Sequence, residues 1–232
     1  MKKTIFYILT AAAVFVFLSD RLFAQEKRTY NFTDFTGVDA GWGMLISISQ
    51  GSTYSIEVEA DDRDFRVLEV EKKGNVLRFS IDKWSYRKYD DIRIKIKMPV
   101  LTELDLSGGS RCRINMNIAS KDFSAELSGG AELEGDLTCG DINLGLSGGS
   151  VVKFTGKGEN LLAKGSGGSV FKLKSFSVRD VDADLSGGSS VSVTMNGTIN
   201  SDQSGGSNIV YYGKARMGNN DFSGGSGISS GE

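Results

Sequence analysis

From Ser107 onward, apolar and polar residues alternate in short runs that stop and restart at a repeated tripeptide. Five, three and one residues before the tripeptide come Phe123, Ala125 and Leu127 in one copy, Ile142, Leu144 and Leu146 in the next, and Val181, Ala183 and Leu185 further on. Five and seven after its first residue come Cys112 and Ile114, Val152 and Phe154, Phe171 and Leu173, Val191 and Val193, Ile209 and Tyr211. A period of two puts all of these on the inner face of strands, with Arg113, Glu134, Lys153, Lys172 and Ser192 pointing outward between them. Each unit predicts a strand, a corner, a second strand and a loose return.

The corner is Ser-Gly-Gly, seven times over: Ser107-Gly108-Gly109, Ser128-Gly129-Gly130, Ser147-Gly148-Gly149, Ser166-Gly167-Gly168, Ser186-Gly187-Gly188, Ser204-Gly205-Gly206 and Ser223-Gly224-Gly225. Intervals of 21, 19, 19, 20, 18 and 19 residues are those of a solenoid, where each turn buries its apolar face only against its neighbours. The pattern predicts an all-β, single-stranded parallel β-helix over 101–232. The glycines are read as structural, because a sharp corner demands positive φ or close approach between turns. Serine recurs three residues after the first in six of seven copies, Ala131 being the exception. Stacked about 4.8 Å apart, these hydroxyls are expected to hydrogen-bond along the column.

Residues 25–100 lack this punctuation but alternate too, as in Tyr54, Ile56, Val58, Ala60 and in Ile92, Ile94, Ile96, Met98. Lys72-Lys73-Gly74-Asn75 reads as a hairpin turn before Leu77, Phe79 and Ile81. This part is expected to form irregular turns or hairpins that cover the N-terminal end of the solenoid and share its core, so that 25–232 is one domain. Residues 1–24 read as a signal peptide: Lys2-Lys3, an apolar run from Ile5 to Leu18, then Leu22-Phe23-Ala24 before Gln25. The expected location is outside the cytoplasm, whether periplasmic, outer-membrane-associated or extracellular. No cysteine flanks the junction and no later apolar stretch approaches about 18 residues, which speaks against a lipid anchor or stable membrane insertion.

The formal charge of −2 becomes about −4 once residues 1–24 are gone, a mild acidity that suits solubility and not nucleic acid. The chain contains no histidine, which excludes Ser-His-Asp and Cys-His catalysis and imidazole-ligated metals. Cys112 and Cys139 fall at different stations of adjacent repeats, so the register speaks against a disulfide. No corner carries the Gly-Lys-Ser/Thr ending of a phosphate loop, and Ser229 stands where a calcium-binding nonapeptide repeat needs aspartate. No cofactor is expected.

The chemistry that remains is acidic and aromatic. Two residues before each corner serine stand Asp105, Glu126, Gly145, Lys164, Asp184, Asp202 and Asp221. On that register Asp184, Asp202 and Asp221 stack outward and form a candidate cation site, although a solvated face explains them as well. Asp61-Asp62-Arg63-Asp64 and Asp90-Asp91 read as loop charges. Trp42, Trp84, Tyr86 and Tyr89 are candidates for a carbohydrate-stacking platform, with half-buried packing as the alternative.

An export signal, an alternating stretch such as Gly51-Ser52-Thr53-Tyr54-Ser55-Ile56-Glu57-Val58, and Leu-Ser-Gly-Gly-Ser repeats at Leu106 to Ser110 and Leu185 to Ser189 together resemble a Bacteroidetes exported family. That family is called the putative auto-transporter adhesin, head GIN domain, and Gly-x-Ile-Asn occurs at Gly140 to Asn143 and Gly197 to Asn200. The resemblance implies a right-handed β-helical fold in the envelope or outside the cell, and brings no functional residues with it. The resulting expectation is a non-enzymatic adhesion or envelope scaffold whose long faces bind a protein or glycan. A carbohydrate-binding or carbohydrate-cleaving β-helix and a periplasmic envelope-sensing domain are the alternatives. Inward stations turn polar at the end, with Ser201, Gln203, Asn220 and Ser230, so the core tapers and a monomer is expected.

Overall fold

A computed structural model describes residues 26–82 and 92–232; the signal peptide, Trp84, Tyr86, Tyr89 and Asp90-Asp91 lie outside the described residues. The N-terminal third comprises β1 (Glu26–Tyr30), β2 (Gly37–Ala40), β3 (Leu45–Gln50), β4 (Ser55–Ala60), the single-turn helix α1 (Asp62–Phe65), β5 (Leu68–Lys73), β6 (Val76–Ile81) and β7 (Arg93–Met98). Then come β8 (Glu103–Leu106), β9 (Arg111–Asn117), β10 (Phe123–Leu127), β11 (Glu132–Thr138), β12 (Ile142–Leu146), β13 (Val151–Lys157), β14 (Asn160–Gly165), β15 (Val170–Val178), β16 (Asp180–Leu185), β17 (Ser190–Gln203), β18 (Asn208–Phe222) and β19 (Gly227–Ser230).

Even-numbered strands from β8 to β16 pair in parallel with one another, as do odd-numbered strands from β9 to β17. The result is a β-solenoid of about seven turns with two long walls. One wall precedes each glycine corner and the other follows it. β17 and β18 run through both walls, each contributing one half to either side.

The N-terminal strands do more than cover an end. β2 lies between β6 and β8, and β3 between β7 and β9, all parallel. The first turn in the chain is thus the second in space, sandwiched between the β6–β7 turn and the β8–β9 turn. Only the antiparallel strands sit outermost: β5 against β6, joined through Gly74 at φ 59, and β4 against β7 with β1 beyond it. The alternation in 25–100 reported strands correctly but could not report this interleaving, because both arrangements bury the same residues.

Apolar stations face inward as the period of two requires. Phe123, Ala125, Leu127, Ile142, Leu144, Leu146, Val152, Phe171, Leu173, Val191 and Val193 are all buried in one core that runs from Phe35 to Ile209. Phe154 bridges Phe123 and Phe176 on neighbouring turns, with ring centroids 6.2 and 6.0 Å apart. Each such side chain contributes about 1.5–3 kcal/mol by leaving water. Both cysteines are free and buried. Burial pushes the Cys139 thiol up to about 12 and Cys112 higher still, so neither is a nucleophile.

At the open end, Ser201 and Gln203 are buried and form a small polar network, Gln203 Nε2 donating to Ser201 Oγ at 3.0 Å and Ser201 Oγ to Asn220 Oδ1 at 2.8 Å. Met217 and Phe222, at the uncovered turn, are about half exposed. Among the described residues no helix is long and apolar enough to cross a membrane.

Candidate functional site

The corners set the geometry of everything outside them. In all seven, the first glycine has φ between 59 and 72. The second glycine also has positive φ at Gly109, Gly130 and Gly149, but not at Gly168, Gly188, Gly206 or Gly225. In the last three corners its N–H donates to the first glycine's carbonyl one turn below, from Gly188 to Gly167 at 2.6 Å, from Gly206 to Gly187 at 2.6 Å and from Gly225 to Gly205 at 2.7 Å. The column of serine hydroxyls does not bond along itself as expected. Ser150, Ser169, Ser189, Ser207 and Ser226 each donate to the carbonyl of the serine three residues earlier, at 2.7–2.9 Å. The acceptor within the corner is local, whereas hydroxyls stacked about 4.8 Å apart on successive turns are too distant to bond one another directly. Ser110 lacks such a bond, and its buried hydroxyl has no partner.

The two Gly-x-Ile-Asn segments lie at the return into the pre-corner wall. A Cβ on Gly140 would sit 2.6 Å from Asp122 Oδ1, and one on Gly197 would collide with Asp180 Oδ1. Those carboxylates instead accept the next backbone N–H, Asp141 at 2.9 Å and Thr198 at 2.7 Å. Ile142 and Ile199 then enter the core, and Asn200 Oδ1 accepts the Asn219 N–H at 3.0 Å beside Gly218. The motif is a device that staples one turn to the next. It is structural, and sequence reading gave it no role.

Strand pairing joins the acidic stations into one outward column on the pre-corner wall. Asp39 pairs with Asp105, Asp105 with Glu126, Glu126 with Gly145, Gly145 with Lys164, Lys164 with Asp184, Asp184 with Asp202 and Asp202 with Asp221. The interleaved β2 adds Asp39, which the repeat pattern did not reveal. Arg78 on β6 donates Nε to Asp39 Oδ2 at 2.7 Å. Beyond that ion pair, no hydrogen bond or ion pair joins Asp105, Glu126, Lys164, Asp184, Asp202 or Asp221 to another side chain among the described residues. The Glu126 carboxylate leans over Gly145, where any Cβ would strike it.

A shallow hollow of about 220 Å³ lined by Asp39, Asp105, Glu126, Ser107, Ser128 and Ser147 marks one end of the column. A second, of about 280 Å³, lies between Glu126, Gly145, Lys164 and Asp184. In the first, Asp105 is half-buried, and desolvation together with Asp39, Glu103 and Glu126 pushes its carboxyl up to about 6 against the relief from Arg78. Asp184, Asp202 and Asp221 stack in the expected register, and Asp182 beside Asp184 on β16 is engaged by Asn200 Nδ2 at 2.8 Å. Among the described residues no three His, Cys, Asp or Glu side chains converge to hold a metal. Of the aromatic candidates, Trp42 is exposed at the corner between β2 and β3. Asp61 caps α1, accepting the N–H groups of Arg63 and Asp64 at 2.8 Å.

Residues 34–215 match the family described as Putative auto-transporter adhesin, head GIN domain. Among solved structures, the fold is similar to a putative adhesin from Bacteroides fragilis, with TM-score 0.81 and 20% identity over 89% of this chain and 96% of that one. It is also similar to a putative lipid binding protein from Parabacteroides distasonis, with TM-score 0.71 and 16% identity over 90% and 97%. A putative adhesin from Parabacteroides merdae has TM-score 0.69 and 14% identity over the same shares. No curated protein matches the chain. At these identities the structural likeness concerns the fold.

Proposed function

The chain belongs to the family described as Putative auto-transporter adhesin, head GIN domain, and on that premise we propose that it is an exported, non-enzymatic binding module whose partner lies along the acidic pre-corner wall. The observation that carries the reading is the column from Asp39 to Glu126, resumed at Asp184, Asp202 and Asp221, in which like charges stack on consecutive turns. Directly opposed like charges cost stability, and a sequence that keeps them on a rigid, flat wall gains an adhesive surface for a cationic partner. The solenoid serves as a stiff spacer that presents the column in one line. The test is an array of glycans and basic peptides probed with the purified protein at two salt concentrations. Binding to positively charged members that falls with salt supports the reading, and binding to neutral or anionic members alone removes it.

One observation favours a second reading. Asp105, held near 6 beside Asp39 and Glu126, resembles the acid of a carboxylate pair that cleaves glycosidic bonds. Release of reducing ends from polysaccharides, abolished in Asp105→Asn, would replace the binding role with a hydrolytic one.

A further inference from the structure

We propose that Trp42 is a stacking platform for a sugar ring, and that the glycan it takes carries protonated amino sugars. The inference names the ligand class for the acidic wall and rests on the binding role proposed above. Seven corners of the solenoid are Ser-Gly-Gly, but the corner between β2 and β3 is Gly41-Trp42-Gly43. Pairing of Ala40 with Leu106 and of Leu45 with Arg111 places Trp42 at the station of Gly108. The backbone there is the same: φ is 63 at Trp42 and 59 at Gly108. A left-handed conformation disfavours any residue with a Cβ, and a bulky aromatic strongly.

That strain is not offset by burial. Trp42 is 46% exposed and lies outside the apolar core. Strain retained without a packing gain is the mark of a functional position. The ridge beside the indole is open, since a Cβ on Gly43, Gly109 or Gly130 would meet nothing within 4 Å. Among the described residues, these glycine stations leave room for a ring laid against Trp42.

Charge selects the ring. Ser107 packs on Gly41, its Oγ 2.7 Å from where a Cβ would stand, and the same serine lines the hollow of Asp39, Asp105 and Glu126. The platform and the carboxylates therefore adjoin at one corner. A hexosamine unit offers an apolar ring face to the indole and an ammonium to both the carboxylates and the π-face. A neutral sugar leaves the carboxylates without a counter-charge, and a linear polyamine has no ring to stack.

The test is calorimetry of the purified protein with a β-1,4-linked glucosamine hexasaccharide, its fully N-acetylated counterpart and spermine, at a mildly acidic pH where the amine is protonated. Trp42→Gly supplies the residue used at the seven Ser-Gly-Gly corners, so its melting temperature should match or exceed the parent's while affinity for the glucosamine hexamer falls about tenfold or more. Trp42→Phe should retain most of that affinity, and spermine binding should be indifferent to both changes. Equal hexamer affinity in Trp42→Gly and the parent overturns the proposal, as does a lowered melting temperature in Trp42→Gly, which would mean that the indole packs. N-acetylated hexamer bound as tightly as the amino form also overturns it. If salt-sensitive binding to basic peptides persists while the hexamer does not bind at all, this inference falls and the broader binding role stands.

Discussion

The two walls of the solenoid share one backbone geometry and treat charge differently. On the post-corner wall carboxylates meet cations on the neighbouring turns, although Lys153 also faces Lys172. Glu57 lies between Lys27 and Lys95 at 3.2 and 3.5 Å, Arg111 faces Glu132 at 3.3 Å, and Arg113 pairs with Glu134. On the pre-corner wall, Asp39, Asp105 and Glu126 follow one another, as do Asp184, Asp202 and Asp221. Parallel pairing at about 4.8 Å forces successive turns together whatever they carry, so the difference lies in the sequence and not in the fold. One wall uses the forced proximity for modest stabilisation. The other gathers carboxylates in two runs, Asp39 to Glu126 and Asp184 to Asp221, and that accumulation of one sign is the main ground for placing the partner there.

The contrast depends first on the register of the corners. Gly187 has φ 69, and a Cβ there would sit 2.8 Å from the Gly167 carbonyl oxygen, whereas Gly188 is not left-handed and would meet that oxygen at 3.5 Å. Gly187→Ala should therefore lose about 2–3 kcal/mol in urea unfolding and Gly188→Ala less than about 0.5 kcal/mol. Equal losses would mean that the second glycine is constrained as well, contrary to its geometry.

Next in size is the pH response of the acidic wall. The Asp105 carboxyl stands near 6 when folded against an ordinary 3.8, so the folded chain holds this proton more tightly than the unfolded chain. Its contribution to stability is complete below about pH 4 and is lost as pH rises through about 6. Asp105→Asn should remove that decline and stabilise the protein at pH 7 by about 1–2 kcal/mol, after discounting for the screening of a half-exposed group. An Asp105→Asn chain whose stability still falls from pH 4 to 7 as in the parent would assign the decline elsewhere.

On the balanced wall, Arg113→Glu places a carboxylate beside Glu134 and imitates the acidic wall. It should cost about 1 kcal/mol at low salt and less at high salt. The smallest effect is expected from Lys164→Glu, which joins the two acidic runs through the position next to Gly145 at a cost of about 0.5 kcal/mol. Thermal melts with and without added salt check both, and salt-independent losses would argue for packing in place of charge.

Much of this was legible in the sequence, for reasons of periodicity. A period of two on a fixed repeat placed Phe123, Ala125 and Leu127 inward, and the same register aligned Asp184, Asp202 and Asp221. What escaped was non-local. Asp39 joins the column only because β2 is interleaved between β6 and β8, and the corner that follows it contains no Ser-Gly-Gly. Trp42 could be singled out as aromatic, but its place at a glycine station is visible only once Ala40 is paired with Leu106. The serine hydroxyls were misassigned because the repeat gives the column but not the local acceptor, a carbonyl three residues back, and about 4.8 Å between turns is too far for a bond along the column.

The central claim, that the acidic wall and not the balanced one holds the partner, is tested most directly by matched neutralisation. Two chains, Asp105→Asn with Glu126→Gln and Glu132→Gln with Glu134→Gln, each lose two carboxylates and keep the same net charge as one another. Surface plasmon resonance over an immobilised glucosamine polymer should show binding weakened about tenfold or more in the first chain and within about twofold of the parent in the second. Equal weakening in both would reduce the effect to overall charge and contradict the assignment of the partner to the pre-corner wall.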